Sequence, residues 1–424
     1  MPQLSELVAA RQAKTAQIWN IRDEIVLIGC GNPINLPGGA DQCYEFRPHT
    51  EYHWLTGESR PGSVLAFDPQ EGWTRFTPAV TEIERVWDGI TEEPAGPYLD
   101  SLPGWLEARK GKKIGFLGAV TQDVAVDEEF TAKVRLNLFQ ARRPKDEFEL
   151  ELMRRAMIAT KAGHEVAAAF IKPGVTEREI QVELESAFAR AGATAPGYHS
   201  IVGTGPNSVV FHFTPSDRKV AEGDVVLIDA GARVAEYVID VTRTYPANGK
   251  FTAKQQDVYD ILLNAERKAC DRCLPGQEWL EFHALCALDL AAGFKDLGIL
   301  KGSPESAIES EAMGIFLPHG IGHMVGLGVR DGSGAAPGRS GENKAAGVRV
   351  RCDLPLEVGF VMTVEPGLYF IPALINDASR RERFRDEINW DVVDQYQDFG
   401  GMRIEDNILV TDDKPVNLTI DIPV

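Results

Sequence analysis

Apolar residues recur along this chain in two registers. From Leu4 to Trp19 they keep a helical spacing, whereas Glu24 to Ile28, Ser63 to Phe67 and Lys113 to Leu117 are short apolar runs of strand length. Alternation of the two kinds predicts a small α/β domain over residues 1–143. Arg143-Pro144-Lys145-Asp146 then punctuates the chain, and a second domain over residues 144–424 begins with helices. A long helix is predicted from Asp146 to Ile171, with Phe148, Leu152 and Ala156 on one face and Pro173-Gly174 after it. Thr176 and Glu179 have capping-box spacing, and Ile180, Leu184, Ala187, Phe188 and Ala191 follow at helical intervals. Thr252 and Gln255 repeat the signal for a helix from Phe251 to Cys273, stopped by Pro275-Gly276.

Acidic residues interrupt several of the later apolar runs. Asp229 ends Val225-Val226-Leu227-Ile228, Asp240 follows Tyr237-Val238-Ile239, Glu365 follows Phe360 to Val364, and Glu405 lies within Met402 to Val410. Most of the 63 Asp and Glu residues must be solvated surface, but a carboxylate in a buried strand needs a partner. Together with His323, these four acids form a set suited to two divalent cations. Oxygen-rich coordination with one imidazole favours Mn or Co over a thiolate-held zinc. Two such ions roughly 3.5–4 Å apart can activate a water and stabilise attacking and leaving atoms, which predicts a two-metal hydrolase.

The strings LIDAG, DVTRTYPANGKF, LPHGIGH, TVEPGLYF and GGMRIEDNILV also resemble, in order and spacing, the five metal-ligand motifs of the pita-bread metallopeptidases, the group of aminopeptidase P, prolidase and methionine aminopeptidase. The likeness runs from about Arg143 to Val410, and FRPHTEYHWLTG adds a weaker one in the first third. It implies a creatinase-like α/β N-terminal domain and an α+β pita-bread catalytic domain. It implies further that Asp229 chelates one ion, that Asp240 and Glu405 bridge both, and that His323 and Glu365 complete the other site, with Glu365 also shuttling protons. His319 would face the substrate, His212 and Tyr198 would line its pocket, and Arg403 would act from behind the ligands. Prolidases carry an arginine fourteen residues before the TVEP glutamate to clamp a free C-terminal carboxylate; that position here is Arg351. The implied activity is that of an Xaa-Pro dipeptidase with two divalent ions, Mn first and Co or Zn as substitutes. Aminopeptidase P activity on longer peptides is the enzyme alternative, and a non-catalytic pita-bread binding protein the alternative of another class. Relatives of this kind are commonly homodimers.

One position departs from the family. Seven residues after His323, where a second histidine is usual, stands Arg330. Arginine stays protonated and accepts no hydrogen bond, so it cannot take a neutral imidazole's part. Two readings stay open for it: a pair with the adjacent Asp331 or another acid, or a positive contact for an anionic group of the substrate. For Arg351, a solvated surface arginine competes with the clamp. For His212 in Phe211-His212-Phe213, a half-buried strand histidine competes with a substrate ligand.

Other signals weaken on inspection. His319 and His323 have the i, i+4 spacing of a zinc helix, yet Gly320 and Gly322 each disfavour helix by about 1 kcal/mol, so a turn or strand is expected. Thr204-Gly205-Pro206-Asn207 lacks the Gly-Lys-Ser/Thr of a phosphate loop and reads as a turn. Cys270, Cys273, His283 and Cys286 are spaced loosely like a zinc site, but they fall on two predicted helices and read as buried thiols.

Composition sets the remaining bounds. A formal charge of −19 argues against a nucleic-acid surface, and 424 residues with 44% apolar content suit a multi-domain globular enzyme. With no apolar stretch of spanning length and no signal core in Met1 to Asn20, a cytoplasmic enzyme acting on small peptides, without a membrane partner, is expected.

Overall fold

The computed structural model describes residues 4–119, 121–339, 341 and 343–424. Contacts divide the chain into two units, Met1–Arg142 and Arg143–Val424. The first is built on a four-stranded sheet in the order Gly72–Phe76, Val64–Asp68, Ile25–Gly29, Ile114–Gly118. Ile25–Gly29 is buried along its whole length because it is central, running parallel to Ile114–Gly118 and antiparallel to Val64–Asp68. The expected strands are therefore present, each displaced by one residue. The helix Leu4–Trp19 has the predicted bounds, and its terminal Trp19 packs on Phe67 at 5.6 Å between ring centroids while donating its indole N–H to the Val134 carbonyl.

Three capped helices organise the second unit. Glu147–Phe170, Glu177–Arg190 and Ala253–Asp271 begin after Asp146, Thr176 and Thr252, and each cap forms the reciprocal box with Glu149, Glu179 and Gln255. The N-caps themselves are extended, which is why the first and third helices start later than their sequence signals; they also end one and two residues earlier. Buried faces of Glu147–Phe170 and Glu177–Arg190 meet a three-stranded antiparallel sheet ordered Thr242–Pro246, Val225–Asp229, Ile201–Thr204. Between the last two strands of the sequence in that sheet, Ala232–Val234 and Tyr237–Val238 form a hairpin whose turn residues Ala235 and Glu236 have φ of 46° and 71°. Such left-handed values match the twist of a tight hairpin.

Two further ladders share an interruption. Val361–Val364 pairs with Asp406–Leu409, and Gly367–Tyr369 pairs with Gly401–Arg403. Glu365 lies in the gap on one chain and Glu405 in the gap on the other, so neither acid belongs to a regular strand. Asp240 likewise sits in the link between Tyr237–Val238 and Thr242–Pro246. Leaving the ladder frees these positions from the alternation of faces that a continuous strand imposes.

Several smaller expectations resolve here. His319 to His323 is irregular backbone, with no helix. Phe211-His212-Phe213 is not a strand: the stretch follows the 3-10 helix Gly205–Val209, and His212 is exposed in a turn. Thr204 and Asn207 both donate to the Glu177 carboxylate, an acid where a phosphate loop would need the opposite sign. Cys270 and Cys273 lie on one helix or its end, His283 and Cys286 on Trp279–Asp296, and among the described residues the four do not converge as a ligand group. Burial pushes the thiols of Cys273 and Cys286 well above their ordinary range, so they stay protonated.

Candidate active site

A cavity of about 910 Å³ in the second unit is lined by all of the residues singled out above: Tyr198, His212, Asp229, Asp240, His319, His323, Arg330, Arg351, Glu365, Arg403 and Glu405. They come from every part of the unit. Asp229 is delivered by a strand end, Asp240, Glu365 and Glu405 by interrupted ladders, and the histidines by a glycine-rich bend. Gly322 makes that bend possible, since a Cβ built there would stand 2.0 Å from the Thr363 carbonyl oxygen.

Asp240, His323 and Glu405 form the tightest cluster, each offering a ligand atom within 4.8 Å of the others. His323 Nδ1 lies 2.9 Å from the Met324 carbonyl and acts as donor there, so Nε2 keeps its lone pair. That lone pair faces Asp240 Oδ2 at 3.3 Å and Glu365 Oε1 at 3.6 Å. Glu405 accepts the Thr242 hydroxyl on Oε2 at 2.7 Å, while its buried Oε1 has no hydrogen-bond partner. Acceptors with nothing to accept from, converging in a buried place, fit a cation. The backbone around Asp240 is held on both sides by the Asn407 amide, which accepts from its N–H and donates to its carbonyl.

Asp229 stands differently. One carboxylate oxygen accepts the Tyr198 hydroxyl at 2.8 Å and the other accepts from Arg403, so it is not part of the three-residue cluster. Arg403 is the hub of the site: its guanidinium also donates to the Tyr369 hydroxyl at 2.8 Å and to Thr242 Oγ1 at 3.0 Å. Tyr369 in turn lies 3.0 Å from His319 Nε2, and Phe211 packs edge-on against both rings.

Electrostatics follow from crowding acids out of water. Burial raises the Asp229 carboxyl to about 6 despite the opposing charge of Arg403. The carboxyls of Asp240, Glu365 and Glu405 are raised by the same cause, and in Glu405 the charges of Asp240, Glu365 and Asp229 add to it. His319 is held below the usual imidazole range, by burial first, and so stays neutral. Divalent cations would reverse the carboxylate shifts.

The structure also brings in residues that sequence reasoning passed over. Tyr369, Thr242, Asn407, Phe211 and Arg349 all touch this network or line the cavity. Only Arg349 had a signal to find, since it stands two residues before Arg351 in a short run of arginines alternating with valine. Arg330 does not pair with Asp331, because that carboxylate is buried against Lys145 Nζ at 3.0 Å and the Leu327 N–H at 2.9 Å.

A helix-and-sheet unit that converges four acids and an imidazole on one cavity defines a metal-dependent hydrolase. Residues 151–412 match metallopeptidase family M24. The human Xaa-Pro dipeptidase is 30% identical over 420 residues, covering 91% of this chain and 85% of that protein. A protein of Aspergillus fumigatus, named as a probable Xaa-Pro aminopeptidase, is 32% identical over 407 residues, covering 89% and 86%. Among solved structures, proline aminopeptidase P II from Yersinia pestis superposes with a TM-score of 0.80 at 27% identity, covering 99% of this chain and 97% of its own. A zinc-substituted E. coli aminopeptidase P in complex with product gives a TM-score of 0.81 at 26% identity, covering 100% and 96%. The chain belongs to metallopeptidase family M24 and has its pita-bread fold.

Proposed function

We propose that this metallopeptidase is an Xaa-Pro dipeptidase working with two divalent ions. The observation that carries the reading is that one cavity holds both an acid cluster with an orphaned carboxylate oxygen and the Arg351 guanidinium. A dipeptide has a free amine and a free carboxylate within a few ångströms of its scissile bond, and such a cavity complements both ends.

In this reading Asp229, Asp240, His323, Glu365 and Glu405 are the residues that would hold the ions. Bound divalent ions would supply an acidified water and polarise the scissile carbonyl. Glu365 takes a proton and returns it to the proline nitrogen as that nitrogen leaves. Neutral His319 faces the substrate with its ring fixed on both edges, Nδ1–H donating to the Gly320 carbonyl and Nε2 accepting the Tyr369 hydroxyl, and Tyr198 and Arg403 fix the Asp229 carboxylate. His212 borders the cavity from its exposed turn, and Arg351 pairs with the C-terminal carboxylate, a geometry a planar guanidinium suits. Mn as the working ion, a homodimer and a cytoplasmic setting belong to the same proposal; among the described residues no helix is long and apolar enough to cross a membrane.

A second reading, Xaa-Pro aminopeptidase, is favoured by the names of several relatives. A hydrolysis panel separates the two: Xaa-Pro dipeptides, Xaa-Pro-Yaa tripeptides and proline-free dipeptides, each with added Mn, Co or Zn. Cleavage confined to Xaa-Pro dipeptides supports the proposal. Faster cleavage of tripeptides transfers it to the second reading, and no metal-dependent cleavage of any removes both.

A further inference from the structure

Three of the cavity's lining residues are arginines standing on the substrate side of the ligand set: Arg330, Arg349 and Arg351. Arg349 lies in the strand Val348–Val350, its neighbours Val348 and Val350 buried while it is exposed, and Arg351 follows just past the strand end, exposed as well. Among the described residues no carboxylate lies within ion-pairing distance of any of the three guanidiniums. Asp331 and Asp353, the acids nearest to them in sequence, are engaged by Lys145 and by Arg339.

The three cations act on one another. Arg351 is held below the usual guanidinium range by partial burial, and next by the charge of Arg330, with Arg349 adding in the same direction and the Glu365 carboxylate opposing. Across the hairpin, Lys344 is the register partner of Arg349, so the strand pair adds a fourth like charge where an acid would stabilise it. Such a cluster is not a product of composition, because acids outnumber Lys and Arg by 63 to 44. Arg330 and Arg351 do feel the charges of Asp240 and Glu365, but those acids are the ones that bound cations would occupy, so the positive charge kept at the pocket wall is balanced by what the pocket binds.

A single carboxylate is matched by one guanidinium through two parallel hydrogen bonds. The C-terminal carboxylate of a dipeptide thus accounts for Arg351 and leaves Arg330 and Arg349 without an anion. When the second residue is proline, its ring carries no ionisable group, and the one remaining place for a negative charge is the Xaa side chain. We propose that the preferred substrates are dianionic, with Asp or Glu as Xaa, and that Arg330 and Arg349 read that side-chain carboxylate. The proposal rests on the Xaa-Pro peptidase reading and specifies its substrate class.

Isosteric pairs test it by charge alone. On the metal-loaded enzyme, kcat/KM for Glu-Pro should exceed that for Gln-Pro by about tenfold or more at low ionic strength, and Asp-Pro should exceed Asn-Pro similarly. High salt should compress both ratios, since the exposed guanidiniums are open to screening. Arg349→Gln and Arg330→Gln should each bring the ratio towards one, whereas Arg351→Gln should slow both members of a pair alike and leave the ratio standing. A ratio of one or below in the parent enzyme, or a ratio that neither Arg330→Gln nor Arg349→Gln alters, overturns the proposal. Should a variant fail to fold, the salt dependence of the parent's ratio decides. If only tripeptides are cleaved, the dipeptidase reading fails by itself, and the ratio of Glu-Pro-Ala to Gln-Pro-Ala then tests the preference for charge in the same way. If neither length turns over, the two dipeptides' Kd values from calorimetry replace the rates, and equal values overturn the proposal.

Discussion

Arg403 donates to the Asp229 carboxylate from a site where the two side chains are only 4% and 13% exposed. The same guanidinium ties Tyr369 and Thr242, and through Thr242 it reaches Glu405. One side chain therefore fixes three of the elements that surround the acid cluster. Removing it leaves a buried carboxylate without its counter-charge, which costs about 3–5 kcal/mol in comparable pairs. Arg403→Gln should lower stability on that scale and reduce turnover; Arg403→Lys should recover part of the stability and little of the turnover, because a compact ammonium does not span the three acceptors that the planar guanidinium reaches. Urea unfolding and kcat on the same preparations check this, and a fully active Lys variant would remove Arg403 from the network.

Asp240 faces His323 and shares its cluster with Glu405. If it bridges two ions, Asp240→Asn removes charge from both coordination spheres at once. Activity should be lost and metal content should fall below two ions per chain, as read by elemental analysis after dialysis. Two retained ions with near-normal turnover would exclude the bridging role.

For Arg351 the prediction is a difference between substrates. Arg351→Ala should lower kcat/KM on Xaa-Pro dipeptides by about 1.5–3 kcal/mol, the scale of hydrogen bonds to a charged group. Tripeptides, whose free carboxylate lies one residue further on, should lose much less. Equal losses on the two lengths would mark Arg351 as structural.

Glu266 gives a pH test outside the cavity. Burial, and then the nearby charge of Asp406, raise its carboxyl from an ordinary 4.5 to about 8, and it accepts the Cys270 thiol at 2.7 Å. A carboxyl whose pKa is raised by folding contributes fully below its unfolded value, and the contribution is lost as pH rises through the folded one. The window is therefore about pH 4.5 to 8. Glu266→Gln, which cannot ionise, should gain stability relative to the parent steadily across that window. Parallel melting curves for the two proteins at pH 5 and pH 8 would contradict a buried neutral Glu266.

Local signals were legible because they act over a few residues. The boxes at Asp146, Thr176 and Thr252 and the apolar run of Ile25–Gly29 depend on neighbours within one turn or one strand, and the structure shows each of them. The acids were legible as a set because a carboxylate beside a buried run is costly wherever it stands. Their placement was not: sequence put Glu365 and Glu405 in continuous strands, and the fold puts both in a shared gap between two ladders. A gap of that kind depends on the partner strand, 40 residues away in the chain for this pair of glutamates, and no local pattern encodes it.

What the sequence by itself determined is the inventory: helices with their caps, five potential ligands, and an arginine where relatives carry a histidine. Tertiary structure decided which of these meet. It gave the Glu405 oxygen nothing to bind, gave Asp229 to Arg403 and Tyr198, and turned Asp331 away from Arg330 towards Lys145. Each of those outcomes is a competition between several possible partners for one buried charge, and distance in the folded chain, which the order of residues does not state, settles it.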